Sequence, residues 1–270
     1  MIKKILLLLF ILVCISCNKQ NNDKENHIVK IGYIGEFDIS IWESLIGKLQ
    51  EENIQLELIP FSGYAALNKS LNSGYIDLNH FQHYAYFVNE TNKNDYYLSI
   101  VEKTFIADMN MYSENLTNIS QMPKNAKIAI PEDNVNLSRA LKILESIGFI
   151  KLRKNSDTNY NYSLNDVREN ALNINFIPKK ASDMHSIISE VDAIIINYNF
   201  NFDFQDKNVL YYDDPSKYSS DMYVKLIVCR LKEADNNIYK TISKFYKERV
   251  TKLVESGRIK GITIINKDMP

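Results

Sequence analysis

The sequence predicts an α/β chain folded as two lobes. Strand-like and helix-like segments alternate in two runs, and extended stretches at 98–112 and 208–230 read as the crossovers between the lobes. The length of 270 residues admits two small domains, and a content of 45% apolar and 24% charged residues is that of a folded chain. Basic and acidic side chains nearly balance, 32 against 33. That balance argues against a nucleic-acid partner, which needs a basic face.

The chain opens with a cationic Met1-Ile2-Lys3-Lys4 and an unbroken apolar run over 5–13. A membrane-spanning helix needs roughly 20 apolar residues, so the run is too short and reads as an export signal. Ser16-Cys17 resembles a bacterial lipobox, in which the cysteine is lipidated and the peptide is cut just before it. Ser16 fits, whereas Cys14 stands where leucine is usual. Residues 1–16 are therefore expected to be a lipoprotein signal peptide, Cys17 the lipidation site, and the polar 17–27 segment a tether. Of the three cysteines only Cys229 would keep a free thiol, buried in the strand-like run 224–229, with no intramolecular disulfide.

The first unit reads as a strand at 28–34, a helix at 39–52, a strand at 54–60, a helix at 65–71, a strand at 76–81 and a helix at 83–91. Gly74 is a natural stop for the second helix. The second unit reads as a strand at 127–131 and a helix that Asn136 caps and Gly148 ends. A strand at 173–177, a helix at 182–189 and a strand at 192–197 follow. The last helix, 237–255, would turn Ile238, Ile242, Phe245, Leu253 and Val254 inward. The Asn-rich stretch 153–165 reads as a surface loop.

Three segments sit where α/β proteins place ligands, at strand ends and helix starts. Phe81, His83 and Tyr86 form either a pocket wall for an apolar or thioether group or an aromatic helix start packed into the core. Arg139, read as lying in a first helical turn where the helix dipole disfavours a cation, either grips a carboxylate bidentately or pairs with Glu132 or Asp133. Asn197 ends an apolar strand. It either presents a carbonyl to an ammonium group or serves turn chemistry.

Taken in order, Phe61-Ser62-Gly63-Tyr64, Phe81-Gln82-His83 with Tyr86, Ile130-Pro131 with Asn136 and Arg139, and Asp192-Ala193 with Ile196-Asn197 resemble the methionine-binding lipoproteins of ABC importers, the NlpA family. The resemblance spans about residues 28–266. It implies a two-lobed periplasmic-binding-protein-like fold of type II with a ligand cleft between the lobes. Lobe 1 would take 28–108 plus 213–270, and lobe 2 would take 109–212. Tyr64, Phe81, His83 and Tyr86 would surround the ligand side chain, with Asn136 in the same ligand-binding set. Arg139 would hold the α-carboxylate and Asn197 the α-ammonium. A buried zwitterion needs both kinds of partner, and a thioether gains up to about 1.5 kcal/mol from each aromatic contact.

Three departures stand out. Asp108-Met109-Asn110 replaces a usual Pro-Met-Gly, Tyr84-Ala85 replaces Lys-Pro, and Lys225 replaces an asparagine. Lysine cannot accept a hydrogen bond from an ammonium. Lys225 is expected either to pair with an acid such as Asp108 or to meet an added anionic group on the ligand, so Asp108 and Lys225 are candidate selectivity residues.

The resulting expectation is a non-enzymatic, monomeric solute-binding lipoprotein. It would bind methionine or a related amino acid or small peptide, use no cofactor or metal, and deliver its ligand to ABC permease subunits. A lipid anchor would hold it in the bacterial cell envelope, on a periplasmic or extracellular face. The alternative is a surface lipoprotein or antigen of the same fold with altered or lost binding. His80-x-x-His83 admits a metal site, but no further ligand pattern accompanies it. A hydrolase lacks support, since neither G-x-S-x-G nor H-E-x-x-H occurs.

Overall fold

The computed structural model describes residues 26–153, 162–198, 207–214 and 221–265. The export segment, Cys17, the tether up to residue 25 and most of the 153–165 stretch lie outside them.

The first run folds as β1 (His27–Tyr33), α1 (Glu36–Glu43), α2 (Ile46–Glu51), β2 (Ile54–Pro60), α3 (Tyr64–Ser73), β3 (Leu78–His83), α4 (Tyr84–Asn94) and β4 (Leu98–Ala107). β1 pairs in parallel with both β2 and β3, as helical crossovers require. The helix expected over 39–52 is two helices. The Ser40 and Ser44 hydroxyls donate to the carbonyls of Phe37 and Ile41, and Leu45 N–H reaches back only to Trp42 O. Side-chain bonds of this kind compete with the helical ladder and break it at Ser44–Leu45.

The second run folds as β5 (Met109–Ser113), β6 (Lys127–Pro131), α5 (Asn134–Ser146), β7 (Ile150–Leu152), β8 (Val167–Asn170), β9 (Asn175–Lys179), α6 (Met184–Ile187), β10 (Ala193–Asn197) and β11 (Asn208–Tyr211). Asn136 is not the cap of α5. Asp133 is, its carboxylate accepting the Asn136 N–H at 2.9 Å. Both residues can cap, but the anion gains more from the helix N-terminus. Arg139 is consequently the sixth helical residue rather than a first-turn one. The helix expected at 182–189 shrinks to the single turn of α6, flanked by tighter turns at Ala181–Asp183 and Ile188–Glu190.

The chain closes with β12 (Val224–Arg230), α7 (Asn237–Glu255) and β13 (Ile262–Ile264). α7 runs over the expected residues, but its fully buried stripe is Tyr239, Ile242, Ser243, Tyr246 and Val250. Ile238, Phe245, Leu253 and Val254 flank that stripe half-buried. Two tyrosine rings and a serine take the centre because Tyr246 packs on Trp42, with centroids 4.3 Å apart.

Two sheets result, ordered β13-β4-β12-β3-β1-β2 and β11-β5-β10-β6-β9, with β7 and β8 as a separate pair. This is the two-lobed arrangement. One face of the first sheet packs Val29, Ile31 and Ile227 against Trp42, Leu49, Ile242 and Tyr246. Its other face packs Leu226 and Val228 against Leu67 and Leu71 of α3. Gly32 permits that contact: a Cβ there would collide with Ile76 and Leu67. The second sheet has its own core, built on Ile128, Ile130, Leu141 and Ile195. The chain passes between the sheets at Asp108, joining β4 to β5, and again between β11 and β12.

Candidate ligand-binding site

The C-terminal ends of β3, β4 and β10, the start of β12 and the first turns of α3, α4 and α5 converge on one cavity with about 360 Å³ of empty space. Tyr64, Phe81, His83, Tyr86, Asp108, Asn136, Arg139, Asn197 and Lys225 all line it. Gln82, from the Phe81-Gln82-His83 motif, lines it as well, as do Ala107, Tyr198 and Tyr223, which belong to no motif of the site. Tyr198 and Tyr223 each stand within two residues of a marked side chain, so proximity was the one available signal.

Tyr64, Phe81 and Tyr86 form an aromatic trio with centroid separations of 5.6 to 5.8 Å, stacked and edge-on. A buried amide cluster ties β3, which carries Phe81, to α3, which Tyr64 opens. Asn68 of α3 and Gln82 of β3 exchange hydrogen bonds of 2.8 Å, and Asn79 donates to Asn68 at 3.0 Å. His80, one residue before Phe81, points into the core instead. Its Nδ1 lies 2.9 Å from Asp38 and its Nε2 lies 3.1 Å from the Thr104 hydroxyl. With both its nitrogens engaged, the His80-x-x-His83 pair offers no ready metal ligands.

His83 begins a chain of oriented amides that fixes the polarity of the site. Tyr86 N–H donates to His83 Nδ1 at 3.3 Å, so the ring proton sits on Nε2, which donates to Asn136 Oδ1 at 3.0 Å. Burial and the Arg139 charge hold the His83 pKa down to about 3, so the ring is neutral. Asn136 Nδ2 donates to both Asp133 oxygens, at 3.1 and 3.0 Å, which sets its amide orientation. Asn136 Oδ1 therefore accepts, and it takes a second bond of 2.7 Å from Asn197 Nδ2. The Asn197 amide is fixed in turn, with its buried Oδ1 left without a partner among the described residues. An orphaned buried acceptor is costly and calls for a donor.

Arg139 supplies the complementary charge. Its guanidinium stacks on the Tyr223 ring, 4.5 Å from the centroid. Its Nη2 donates to Ala107 O at 2.8 Å and to Asp213 Oδ2 at 2.6 Å. Neither Glu132 nor Asp133 is the observed partner. Asp213 lies on the second passage between the sheets, in irregular backbone, where no pattern announced it.

Of the three departures, those at Asp108 and Lys225 resolve into contacts. Asp108 N–H donates to Gly261 O at 3.0 Å, a bond that a proline at this position would lack. Its carboxylate accepts from Asn110 Nδ2 at 2.9 Å. Lys225 Nζ donates to Phe81 O at 3.2 Å, and burial depresses its pKa to about 8. Among the described residues no Lys225–Asp108 ion pair is present.

The model of the NlpA lipoprotein family matches residues 29–264. The chain belongs to that family. Members are substrate-binding proteins rather than enzymes. A probable D-methionine-binding lipoprotein of Pasteurella multocida is 31% identical over 220 residues, covering 78% of each chain. Outer membrane lipoprotein 1 of Mannheimia haemolytica is 29% identical over 244 residues, covering 86% of each. A nutrient-binding protein from Burkholderia cenocepacia, solved with methionine bound, is 26% identical. It superposes with a TM-score of 0.79 over 88% of this chain and all of its own. Among the described residues no helix is long and apolar enough to cross a membrane.

Proposed function

We propose that this NlpA-family chain binds an amino acid, methionine or a close relative, and hands it to the permease of an ABC importer. The observation that carries the reading is the orphaned Asn197 Oδ1 in the same cavity as buried Arg139. One is an acceptor suited to an ammonium, the other a donor suited to a carboxylate, and the aromatic trio suits an apolar or thioether side chain. The methionine-bound Burkholderia relative supports the same ligand class.

In this reading lobe 1 comprises 28–108 plus 213–270 and lobe 2 comprises 109–212. The lobes close about the two passages between the sheets. Cys17 carries the lipid anchor, and the monomer works at the membrane of the cell envelope, on its periplasmic or extracellular face. The surface-antigen alternative keeps one observation in its favour, the protein carboxylate already paired with Arg139.

Isothermal calorimetry on protein freed of ligand by unfolding and refolding tests the reading. L-Methionine, D-methionine, norleucine and the methionine amide form the panel. The amino acids should bind, the amide should bind at least tenfold more weakly, and Asn197→Leu should weaken all of them. Silence across the panel, with no shift in melting temperature, would leave the antigen reading standing.

A further inference from the structure

Of the six large apolar side chains exposed among the described residues, four gather at one end of the first sheet: Ile28 (57%), Tyr75 (59%), Tyr97 (72%) and Leu231 (54%). Strand register puts them there. Ile28 opens β1, Tyr75 precedes β3, Tyr97 precedes β4 and Leu231 follows β12, all at the edge opposite the ligand cavity. Leu231 N–H donates to Tyr97 O at 2.8 Å, and Tyr97 N–H donates to Asn72 Oδ1 at 3.0 Å, so the backbone holds the patch together. Tyr97, Leu231, Gly74 and Lys232 line one open concavity. β1 and β4 are three strand spacings apart in the sheet, about 14 Å.

We infer that this end of lobe 1 rests on the membrane surface, with Tyr75, Tyr97 and Leu231 seated among lipid headgroups. The occupant follows from where the chain leaves the domain. β1 starts at His27 on this same edge, and nine residues lie between Cys17 and His27, a reach of at most about 36 Å over the ten steps. An anchor at Cys17 thus enters the domain at this edge, which lies a strand length nearer to the bilayer attachment than the cavity edge. Tyrosine suits that depth, because its ring is apolar and its hydroxyl is wet. Arg230 pairs with Asp77 and Glu233, and Lys30 with Glu57, while exposed Lys232, beside Leu231, and exposed Asp95, two residues before Tyr97, bring one charge of each sign. The contact therefore needs no anionic lipid. It rests on the anchored reading above and adds an orientation, with the cavity mouth held about one strand length, roughly 20 Å, from the lipid.

Brominated phosphatidylcholine vesicles test it with the lipidated full chain. Tyr97→Trp and, as control, Tyr84→Trp are compared; Tyr84 is exposed at the cavity edge. Trp42 is fully buried and gives a constant background. Emission from position 97 should shift to the blue and be quenched by bromolipid, equally in neutral and anionic vesicles, while position 84 is unaffected. Equal responses at both positions, or none at 97, overturn the inference. So does quenching only with anionic lipid, or protection of position 97 by a second copy of the chain in sedimentation. Mass spectrometry of the membrane-extracted protein reads the anchor separately. If Cys17 proves unacylated, maleimide-lipid coupling at that cysteine restores the attachment, and the quenching comparison still decides the orientation.

Discussion

Arg139 and Asp213 meet at 2.6 Å with side chains only 2% and 5% exposed, so the guanidinium of the cavity already holds a carboxylate supplied by the chain. The same nitrogen reaches Ala107 O, and Asp213 Oδ2 also accepts the Met109 N–H at 3.3 Å. Both passages between the sheets are thereby tied to α5. Removing one partner of a buried pair leaves the other charge uncompensated, at about 3–5 kcal/mol. Asp213→Asn should lose stability of that order in urea unfolding. A ligand bearing a carboxylate should restore more of the loss than it adds to the unaltered protein. An unchanged unfolding midpoint would show that the pair has no energetic role.

His83 makes the fold sensitive to acid. Its folded pKa of about 3 lies below the ordinary 6.5. Between those values the unfolded chain binds the extra proton, so stability rises with pH across that window and is flat above it. One proton contributes a slope of about 1.4 kcal/mol per pH unit. His83→Gln, which can still donate to Asn136, should flatten the profile between pH 3 and 6.5. Parallel profiles for the two proteins would contradict the assignment.

Lys225 acts at the other end of the scale. Its pKa is lowered from 10.5 to about 8 by burial, with the Arg139 charge adding to the effect and Asp38 opposing it. Above about pH 8 the folded chain releases a proton that the unfolded chain retains, so this residue's contribution to stability rises with pH from about 8 to 10.5. Lys225→Met should remove that rise. If the ligand carries an extra anionic group, its affinity should fall above about pH 8 in the unaltered protein and be pH-independent in Lys225→Asn. Calorimetry at pH 7 and 9 checks both proteins.

Gly32 leaves no room for a side chain on the α3 side of β1. Gly32→Ala should cost about 1–3 kcal/mol by overpacking, read as a lower urea midpoint with an unchanged m-value.

The β-α-β alternation was legible because period-2 and helical spacings survive in β1 to β3 and in α5 and α7. Phe81, His83, Tyr86, Arg139 and Asn197 were legible because strand ends and helix starts converge wherever such units pack, whereas Tyr64, Asn136, Asp108 and Lys225 were legible through the family resemblance. Local competition was not. The break at Ser44 depends on hydroxyls choosing backbone carbonyls, and the cap of α5 on Asp133 outbidding Asn136. Asp213 lay beyond reach because its partner is 74 residues away and its backbone has no periodicity. For Lys225 the residue type told of a departure, whereas its bond to the Phe81 carbonyl is a tertiary fact.

Cys229 is fully buried in β12, between β4 and β3, and is the one cysteine among the described residues. Burial lifts its thiol to a pKa of about 11, so it offers almost no thiolate at neutral pH. A thiol reagent can reach it only when the middle of the first sheet comes apart. The chain thus carries its own clock for opening. The labelling rate of Cys229 counts excursions of the strand that also bears Lys225, and the slowing of that clock by a bound ligand measures affinity without any added probe.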